Sequence, residues 1–224
     1  MSAIGRAFVA VEPSRPVLAA VEEHVRRAAG AEPGDALRWT RPEQWHATLQ
    51  FFGRVDDVDA MVRVLERAVC DVEPLAVQLG GGGAFPEVAR GSVLWLGFTD
   101  GAVALAELAR AIGSGAAELG FAPDDHRFRP HLTLARRRPA GDVRPLVGAL
   151  GTDPVGPAWR VGEIVLFASD QRPDGARDHS VISRIPLGGE RIPIASGASA
   201  VPGRRAAPAV RRGGTPPSAR PTSA

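Results

Sequence analysis

The sequence predicts an α+β fold built from a duplicated unit. Strand-like and helix-like segments follow one another irregularly and include pairs of consecutive strands, which favours antiparallel hairpins over a doubly wound parallel sheet. The pattern His-x-Thr-Leu also occurs once in each half of the chain, at residues 46–49 and 131–134. Because the chain has only five histidines, two chance copies are a poor explanation. We therefore expect two related halves that each contribute one copy of the motif.

The first half of the chain has three strand-like and two helix-like segments. Short apolar runs that end near glycine or proline predict the strands, and apolar residues at helical spacing predict the helices. Acidic residues at the start of the second helix suit the positive end of its dipole. The strands are predicted at residues 7–11, 37–39 and 45–52, and the helices at residues 17–29 and 56–69.

The second half repeats this organisation. Four consecutive glycines, residues 80–83, are interpreted as a flexible turn, because a P-loop needs a lysine and the chain contains none. Residues 171–178 are interpreted as a turn before the last strand. The strands are predicted at residues 75–79, 93–98, 131–136, 159–167 and 180–187, and the helices at residues 101–119 and 142–150.

The composition divides the chain into a folded domain, residues 1–188, and a tail, residues 189–224. The tail consists mainly of Gly, Pro, Ala, Ser, Thr and Arg without apolar periodicity, so we expect it to be disordered. Beyond Glu190 there are six arginines and no acidic residue, whereas residues 1–190 hold 21 arginines and 25 acidic residues, a net charge of −4. A nucleic-acid-coating surface on the folded domain is therefore not indicated.

The composition also bears on the compartment. No apolar run reaches the roughly 18 residues of a membrane span, and the first residues lack the layout of a signal peptide. The single cysteine, Cys70, excludes an intrachain disulfide and suits a reducing compartment. We expect a cytoplasmic monomer without a membrane partner.

Each motif places an imidazole beside a hydroxyl on one face of a strand. Residues i and i+2 of a strand share a face, so His46 should lie beside Thr48 and His131 beside Thr133, while the leucines face the core. Histidine exchanges protons near neutrality, and a pair can divide the roles of acid and base. The threonine hydroxyls can hold phosphoryl oxygens, and Arg136 is the best-placed residue to neutralise an anion. The motifs predict acid–base chemistry on a phosphate without assigning the two roles.

The segments RWTRPEQWHATLQFFG and FRPHLTLARRR resemble the two-histidine (2H) phosphoesterase superfamily. Within it, the chain is similar to the bacterial and archaeal RNA 2′,3′-cyclic phosphodiesterases, the LigT-like family long labelled 2′-5′ RNA ligases. The likeness covers roughly residues 5–188 and includes the opening RAFVAVEPS and the closing LFASDQRPDGARDHSVISRIPL. It implies a bilobal fold, in which two pseudo-twofold-related lobes with antiparallel sheets and flanking helices surround a central cleft.

The resemblance implies metal-free hydrolysis of an RNA 2′,3′-cyclic phosphate to a 2′-phosphate. His46 would protonate the leaving 3′ oxygen and His131 would activate water. Thr48 and Thr133 would bind the phosphate, with Arg136 assisting. Because the chain has no lysine, any 2′-5′ ligation must reverse the opening of the cyclic phosphate by an RNA 5′-hydroxyl rather than use a lysyl-adenylate.

Two alternatives to this function remain open. The same fold could act on a small cyclic nucleotide, an ADP-ribose cyclic phosphate or a 2′,5′-linked oligonucleotide. A non-catalytic nucleotide- or RNA-binding module could use the same cleft. A zinc site is disfavoured, because two histidines do not complete one and no cysteine cluster or His-x-x-x-His spacing accompanies them. No metal or other cofactor is expected.

The remaining histidines and aromatic residues carry weaker predictions. Relatives often have a tyrosine where this chain has His179, which is interpreted as a surface or cleft-edge substitute, and the chain has no tyrosine. His24 is interpreted as a solvated helix position and His126 as a loop residue. The candidates for stacking a base are Phe52, which alternation places on the face of His46, together with Phe8 and Trp39, and at least two of the three are expected to pack in the core instead.

Overall fold

A computed structural model of the chain describes residues 3–30, 37–122, 128–171 and 177–188. These residues all belong to one compact unit. The predicted tail and His126 lie outside the described residues. The helices are α1 Arg15–Ala29, α2 Val58–Val69, α3 Ala102–Ala116 and α4 Arg144–Leu150. The strands are β1 Ile4–Val11, β2 Leu37–Trp39, β3 Ala47–Val55, β4 Leu75–Phe85, β5 Gly91–Asp100, β6 Leu132–Gly141, β7 Pro154–Val161, β8 Glu163–Gln171 and β9 Arg177–Pro186.

The described strands form one antiparallel sheet with two equivalent halves. Its order is β7-β4-β5-β6-β3-β1-β8-β9, and β2 pairs with β6. At the centre β3 and β6 meet at one residue pair, Ala47 and Leu132. Helices α2 and α3 pack on the half that contains β3, and helices α1 and α4 pack on the half that contains β6. The α+β, bilobal and pseudo-twofold fold predicted above is confirmed.

Helix positions follow from capping and apolar spacing. Helix α2 begins after Asp57, whose carboxylate accepts a hydrogen bond of 2.8 Å from the main-chain N–H of Ala60. Its side chains Val58, Met61 and Leu65 are fully buried at helical spacing. No helix of the described ranges combines the length and the apolar character that a membrane span needs.

Residues 159–167 form the end of one strand and the start of another, so the prediction of a single strand is wrong. Strand β7 ends at Val161 and β8 begins at Glu163, which leaves Gly162 as the only connection. Strand β7 lies at one end of the sheet against β4, whereas β8 lies in the other half against β1. A one-residue connection between strands so far apart in the sheet requires the sheet to curl.

The glycines at residues 80–83 belong to strand β4, so the prediction of a flexible turn is wrong as well. The reason lies on the neighbouring strand. Gly83 pairs with Trp95 of β5, and a Cβ atom added to this glycine would overlap the indole ring. The absence of a side chain at Gly83 therefore makes room for a large ring at the centre of the molecule.

Candidate active site

The two motif histidines flank the joint between the halves of the sheet. His46 immediately precedes β3, and His131 immediately precedes β6. The next residues, Ala47 and Leu132, form the pair that connects these strands. The duplicated motif is thus brought together at the pseudo-twofold axis, with one histidine from each half.

The threonines and leucines of the motifs have separate environments. Thr48 and Thr133 are half-buried on the strands that follow the histidines. Leu49 and Leu134 are 3% and 0% exposed and pack in the two hydrophobic clusters. The alternation that places the leucines towards the core is confirmed, and the threonines lie on the less buried side of each strand.

A β-bulge follows the threonine in both motif strands. The residue without a partner is Leu49 in β3 and Leu134 in β6. A bulge shifts the alternation of side chains by one residue, so the third residue after each threonine returns to the threonine's face. These residues are Phe51 in β3 and Arg136 in β6. The bulge in β6 therefore brings Arg136 to the face on which the sequence analysis requires it.

The aromatic residue exposed on this face is Phe51, which the sequence analysis did not single out. Its side chain is 59% exposed, and its ring centroid lies 5.7 Å from that of Phe8. The placement of Phe52 on the same face is wrong, because Phe52 is buried in the core against Phe121. Phe8 is buried and Trp39 is half-buried. The sequence signal for Phe51 is its spacing, since it follows the threonine of the first motif by three residues, as Arg136 follows that of the second.

The two imidazoles are held by equivalent hydrogen bonds. Nδ1 of His46 lies 2.8 Å from the carbonyl oxygen of Gln44, and Nδ1 of His131 lies 2.8 Å from the carbonyl oxygen of Arg129. A carbonyl oxygen can only accept, so Nδ1 carries the proton in both rings. Each ring therefore keeps Nε2 for chemistry. This nitrogen is basic when the ring is neutral and acidic when the ring is charged.

Each histidine also packs on two aromatic rings, one from each of the next two strands in its own half of the sheet. The ring centroid of His46 lies 4.9 Å from Phe8 and 5.9 Å from Phe167. The other two rings belong to Phe85 and Trp95, at 5.0 and 6.1 Å from His131. These walls hold the imidazoles in place and exclude water from one side of each ring.

Burial lowers the pKa values of both histidines. The pKa of His46 falls to about 4, first because the ring is buried and second because His179 lies beside it. The pKa of His131 is lowered by burial and by the charges of Arg136 and Arg129, against the opposing effect of its hydrogen bond. Both rings are therefore neutral in the free protein at pH 7. A bound anion would favour the charged forms.

Several arginines surround the histidines. Burial and the charges of Arg138 and Arg177 lower the pKa of Arg136, and Arg129 stacks over the ring of Trp95 at 5.5 Å. No carboxylate of the described residues forms an ion pair with Arg136, Arg138 or Arg177. Such a cluster is suited to binding an anion with more than one charge.

Strand β9 is attached to the first motif. The side-chain amide of Gln44 donates a hydrogen bond of 2.6 Å to the carbonyl oxygen of Arg177, the first residue of β9. His179 follows on this strand, and its ring centroid lies 5.3 Å from that of His46. His179 is therefore part of the site. The sequence analysis had left two positions open for it, the surface and the edge of the cleft.

His24 lies elsewhere, and its interpretation as a solvated residue is wrong. Its Nε2 atom lies 2.9 Å from the carbonyl oxygen of Leu150, at the end of α4, so the side chain connects two helices. Within the described ranges, no three His, Cys, Asp or Glu side chains are grouped as metal ligands would be.

Comparison with known proteins agrees with this arrangement. Residues 9–173 match the family model described as the 2′-5′ RNA ligase superfamily. The chain is 31% identical over 179 residues to an RNA 2′,3′-cyclic phosphodiesterase of Methanothermobacter thermautotrophicus. The aligned region covers 76% of this chain and 92% of the relative. It is 32% identical over 120 residues to a protein of the same name from Aeropyrum pernix. This second alignment covers 54% of this chain and 68% of the relative.

Solved structures agree in fold. The protein TT0787 of Thermus thermophilus superposes with a TM-score of 0.69 and 28% identity, over 83% of this chain and 100% of that one. Apo LigT of E. coli superposes with a TM-score of 0.63 and 24% identity, over 83% of this chain and 99% of that one, which supports the fold alone. Together with the duplicated motif and its geometry, these matches show that the chain belongs to the 2′-5′ RNA ligase superfamily of 2H phosphoesterases.

Proposed function

We propose that this protein hydrolyses RNA 2′,3′-cyclic phosphate ends to 2′-phosphates, with His46 and His131 as a metal-free acid–base pair. We further propose that it acts as a monomer in the cytoplasm, in RNA processing. The names of its relatives support the activity. The observation that carries the mechanism is the matched anchoring of the two rings, each with Nδ1 bonded to a main-chain carbonyl and Nε2 without a hydrogen bond to any described residue.

The reaction needs one proton donor and one proton acceptor. Nε2 of neutral His131 takes a proton from water as the water oxygen attacks the phosphorus atom. The bond from phosphorus to the 3′ oxygen breaks, and that oxygen takes the proton from Nε2 of charged His46. The products are a 2′-phosphate and a free 3′-hydroxyl, and solvent then restores both protonation states. The family resemblance assigns the two roles, and the low pKa of His46 supports its role because it makes the charged form a strong acid.

The groups between the histidines suit a phosphate that gains charge during the reaction. Thr48 and Thr133 can donate hydrogen bonds to its free oxygens from both halves. Arg136 shares a face with Thr133 and can stabilise the transition state with a charged fork. The threonines would therefore bind the phosphate in the ground state as neutral donors, and the positive charge of Arg136 would stabilise the transition state.

The arginine cluster favours an RNA end over a small cyclic nucleotide. A mononucleotide brings one phosphate, which Arg136 and the threonines can satisfy. Arg138 and Arg177 repel Arg136, and further phosphates of an oligonucleotide would offset that repulsion. Phe51 adds an exposed ring on which the terminal base could stack.

Ligation would use the same residues. An RNA 5′-hydroxyl in place of water would give a 2′-5′ linkage, with the same two proton transfers. Because water is present at far higher concentration, we expect hydrolysis to dominate.

The test is to incubate the full chain, in EDTA, with a short RNA that ends in a 2′,3′-cyclic phosphate and to separate 2′- from 3′-phosphate products. We expect conversion to the 2′-phosphate. His46→Ala and His131→Ala should each lower turnover at least about a hundredfold, whereas His24→Gln, a histidine exchange outside the site, should leave it near the wild-type rate.

Two outcomes would contradict the proposal. A product with a 3′-phosphate would mean that the other bond is cleaved. Binding of RNA without turnover, unchanged in both alanine variants, would identify a binding module instead. Circular dichroism of each variant confirms that a loss of turnover is not a loss of fold.

A further inference from the structure

His179 shares the site with His46, but its environment differs from that of the two motif histidines. It pairs with Ser169 across β8 and β9, two residues from the pair of Phe167 and Val181. Its ring stands edge-on, with the plane at 89° to His46 and 81° to Phe8. The centroid distances are 5.3 Å to His46 and 5.0 Å to Phe8. His179 therefore packs against the ring that donates the proton in the proposed reaction.

The nitrogens of His179 determine where its proton lies. Nδ1 is enclosed and has no hydrogen-bond partner in the described part of the chain. A proton on this atom would leave a buried donor unpaired, and a charged ring would add an unpaired positive charge, each at a considerable cost. The neutral form with the proton on Nε2 avoids both costs. Unlike Nδ1, Nε2 is not among the buried atoms of the described residues that lack a partner, so the structure places no such cost on a proton at this atom.

The surrounding charges favour the neutral form. His46 must become charged in the reaction, and Arg177 already carries a charge close to His179. Asp178 opposes these charges, but its effect on His179 is smaller than that of burial and of Arg177. Burial, followed by the charge of Arg177, lowers the pKa of His179, and the ring is neutral near pH 7. A neutral donor can sit beside His46 without adding to the positive charge there.

We propose that His179 is a third substrate-binding imidazole, which donates its Nε2–H to an oxygen of the terminal ribose phosphate on the side of His46. The two motif histidines carry their protons on Nδ1 and react through Nε2, whereas His179 carries its proton on Nε2 and binds with it. The cleft would thus contain two reactive rings and one fixed donor. This inference rests on the proposed function, because it takes the ribose phosphate of the product as its ligand.

The direct test is the tautomer of each histidine, measured by long-range ¹H–¹⁵N spectra of the labelled full chain at pH 7. His179 should show a proton on Nε2, and His46 and His131 should show a proton on Nδ1. His24 is an internal reference for the Nε2–H form, since its Nε2 donates to Leu150. Spectra of His179→Phe assign the resonances. A charged His179, or a proton on its Nδ1, would overturn the inference.

Titration with adenosine 2′-monophosphate then tests the contact. Nε2 of His179 should shift together with the rings of His46 and His131. A response of the two motif histidines without His179 would overturn this inference and leave the proposed function intact. No response from any of the three would count against the proposed function, and the inference would fall with it.

Kinetics separates binding from packing. His179→Phe keeps an aromatic edge against Phe8 and His46 but removes the donor, so KM for a cyclic-phosphate RNA should rise about threefold to tenfold with a smaller change in kcat. His179→Gln keeps a neutral donor and should recover part of the loss. A His179→Phe protein with wild-type KM would mean that the ring serves only in packing.

Discussion

Phe51 and Arg136 occupy equivalent positions in the two halves of the site. Each lies three residues after the motif threonine, beyond a β-bulge, on the face of that threonine. One half thus offers an aromatic ring and the other a positive charge. Because the halves are related by a pseudo-twofold axis, this difference gives the site a direction, which under the proposed function places a base on one side and a phosphate on the other.

The exposed ring of Phe51 should contribute to substrate binding. Phe51→Ala removes a stacking surface worth about 1–3 kcal/mol, so KM for an RNA end should rise roughly fivefold to a hundredfold. The free energy of unfolding of the Phe51→Ala variant should change little, because the side chain of Phe51 is 59% exposed. The matched control is Phe52→Ala, which empties a core position and should lower the free energy of unfolding by about 3 kcal/mol or more. Urea titrations and steady-state kinetics of both variants measure this. Equal KM effects from the two would contradict the assigned faces.

The pH dependence should differ between kcat/KM and kcat. The proposed reaction needs charged His46 and neutral His131. In the free protein the pKa of His46 is about 4, so above neutrality the reactive form declines as pH rises and kcat/KM should fall with it. The bound phosphate diester favours charged His46, which raises its pKa and moves the fall in kcat to higher pH. Profiles from pH 4 to 9 with one RNA substrate give both limbs. If kcat/KM and kcat declined at the same pH, this account would be contradicted.

The arginines beyond Arg136 should distinguish substrates by length. Arg138→Gln should lower kcat/KM for a short RNA about threefold to fivefold and should leave that for a cyclic mononucleotide nearly unchanged. The salt dependence for the RNA should weaken, since fewer counterions are displaced. Arg26→Gln is the control, because this exposed arginine pairs with Glu22 on α1. Equal losses on both substrates would show that Arg138 serves the reacting phosphate.

Gly83 should be required for the position of the Trp95 ring beside His131. In Gly83→Ala, the new methyl group would displace the ring of Trp95, so we expect a loss of about 1–3 kcal/mol in the free energy of unfolding together with lower kcat. Gly148→Ala in α4 is the matched control. Its Cβ would meet no atom within 4 Å, and alanine should be neutral or stabilising by up to about 1 kcal/mol. Thermal and urea denaturation of both variants check this. A stable, fully active Gly83→Ala protein would contradict it.

The sequence by itself predicted the residues of the candidate site and most elements of the fold. The motifs identify His46 and His131, and alternation correctly places Thr48 and Thr133 away from the core. Every predicted helix and strand has a counterpart, apart from the division at Gly162. These are local properties, since side-chain periodicity and capping depend on residues only a few positions apart.

Tertiary structure decided what depends on pairs of strands. A bulge exists only relative to a partner strand, so the sequence could not show that Phe51, rather than Phe52, shares the face of Thr48. Gly83 is explained by a ring on the next strand, and the break at Gly162 by the curl of the whole sheet. His179 reaches His46 because β9 lies beside β8, more than 130 residues along the chain from the first motif. Such contacts follow from packing between distant segments, which no local pattern records.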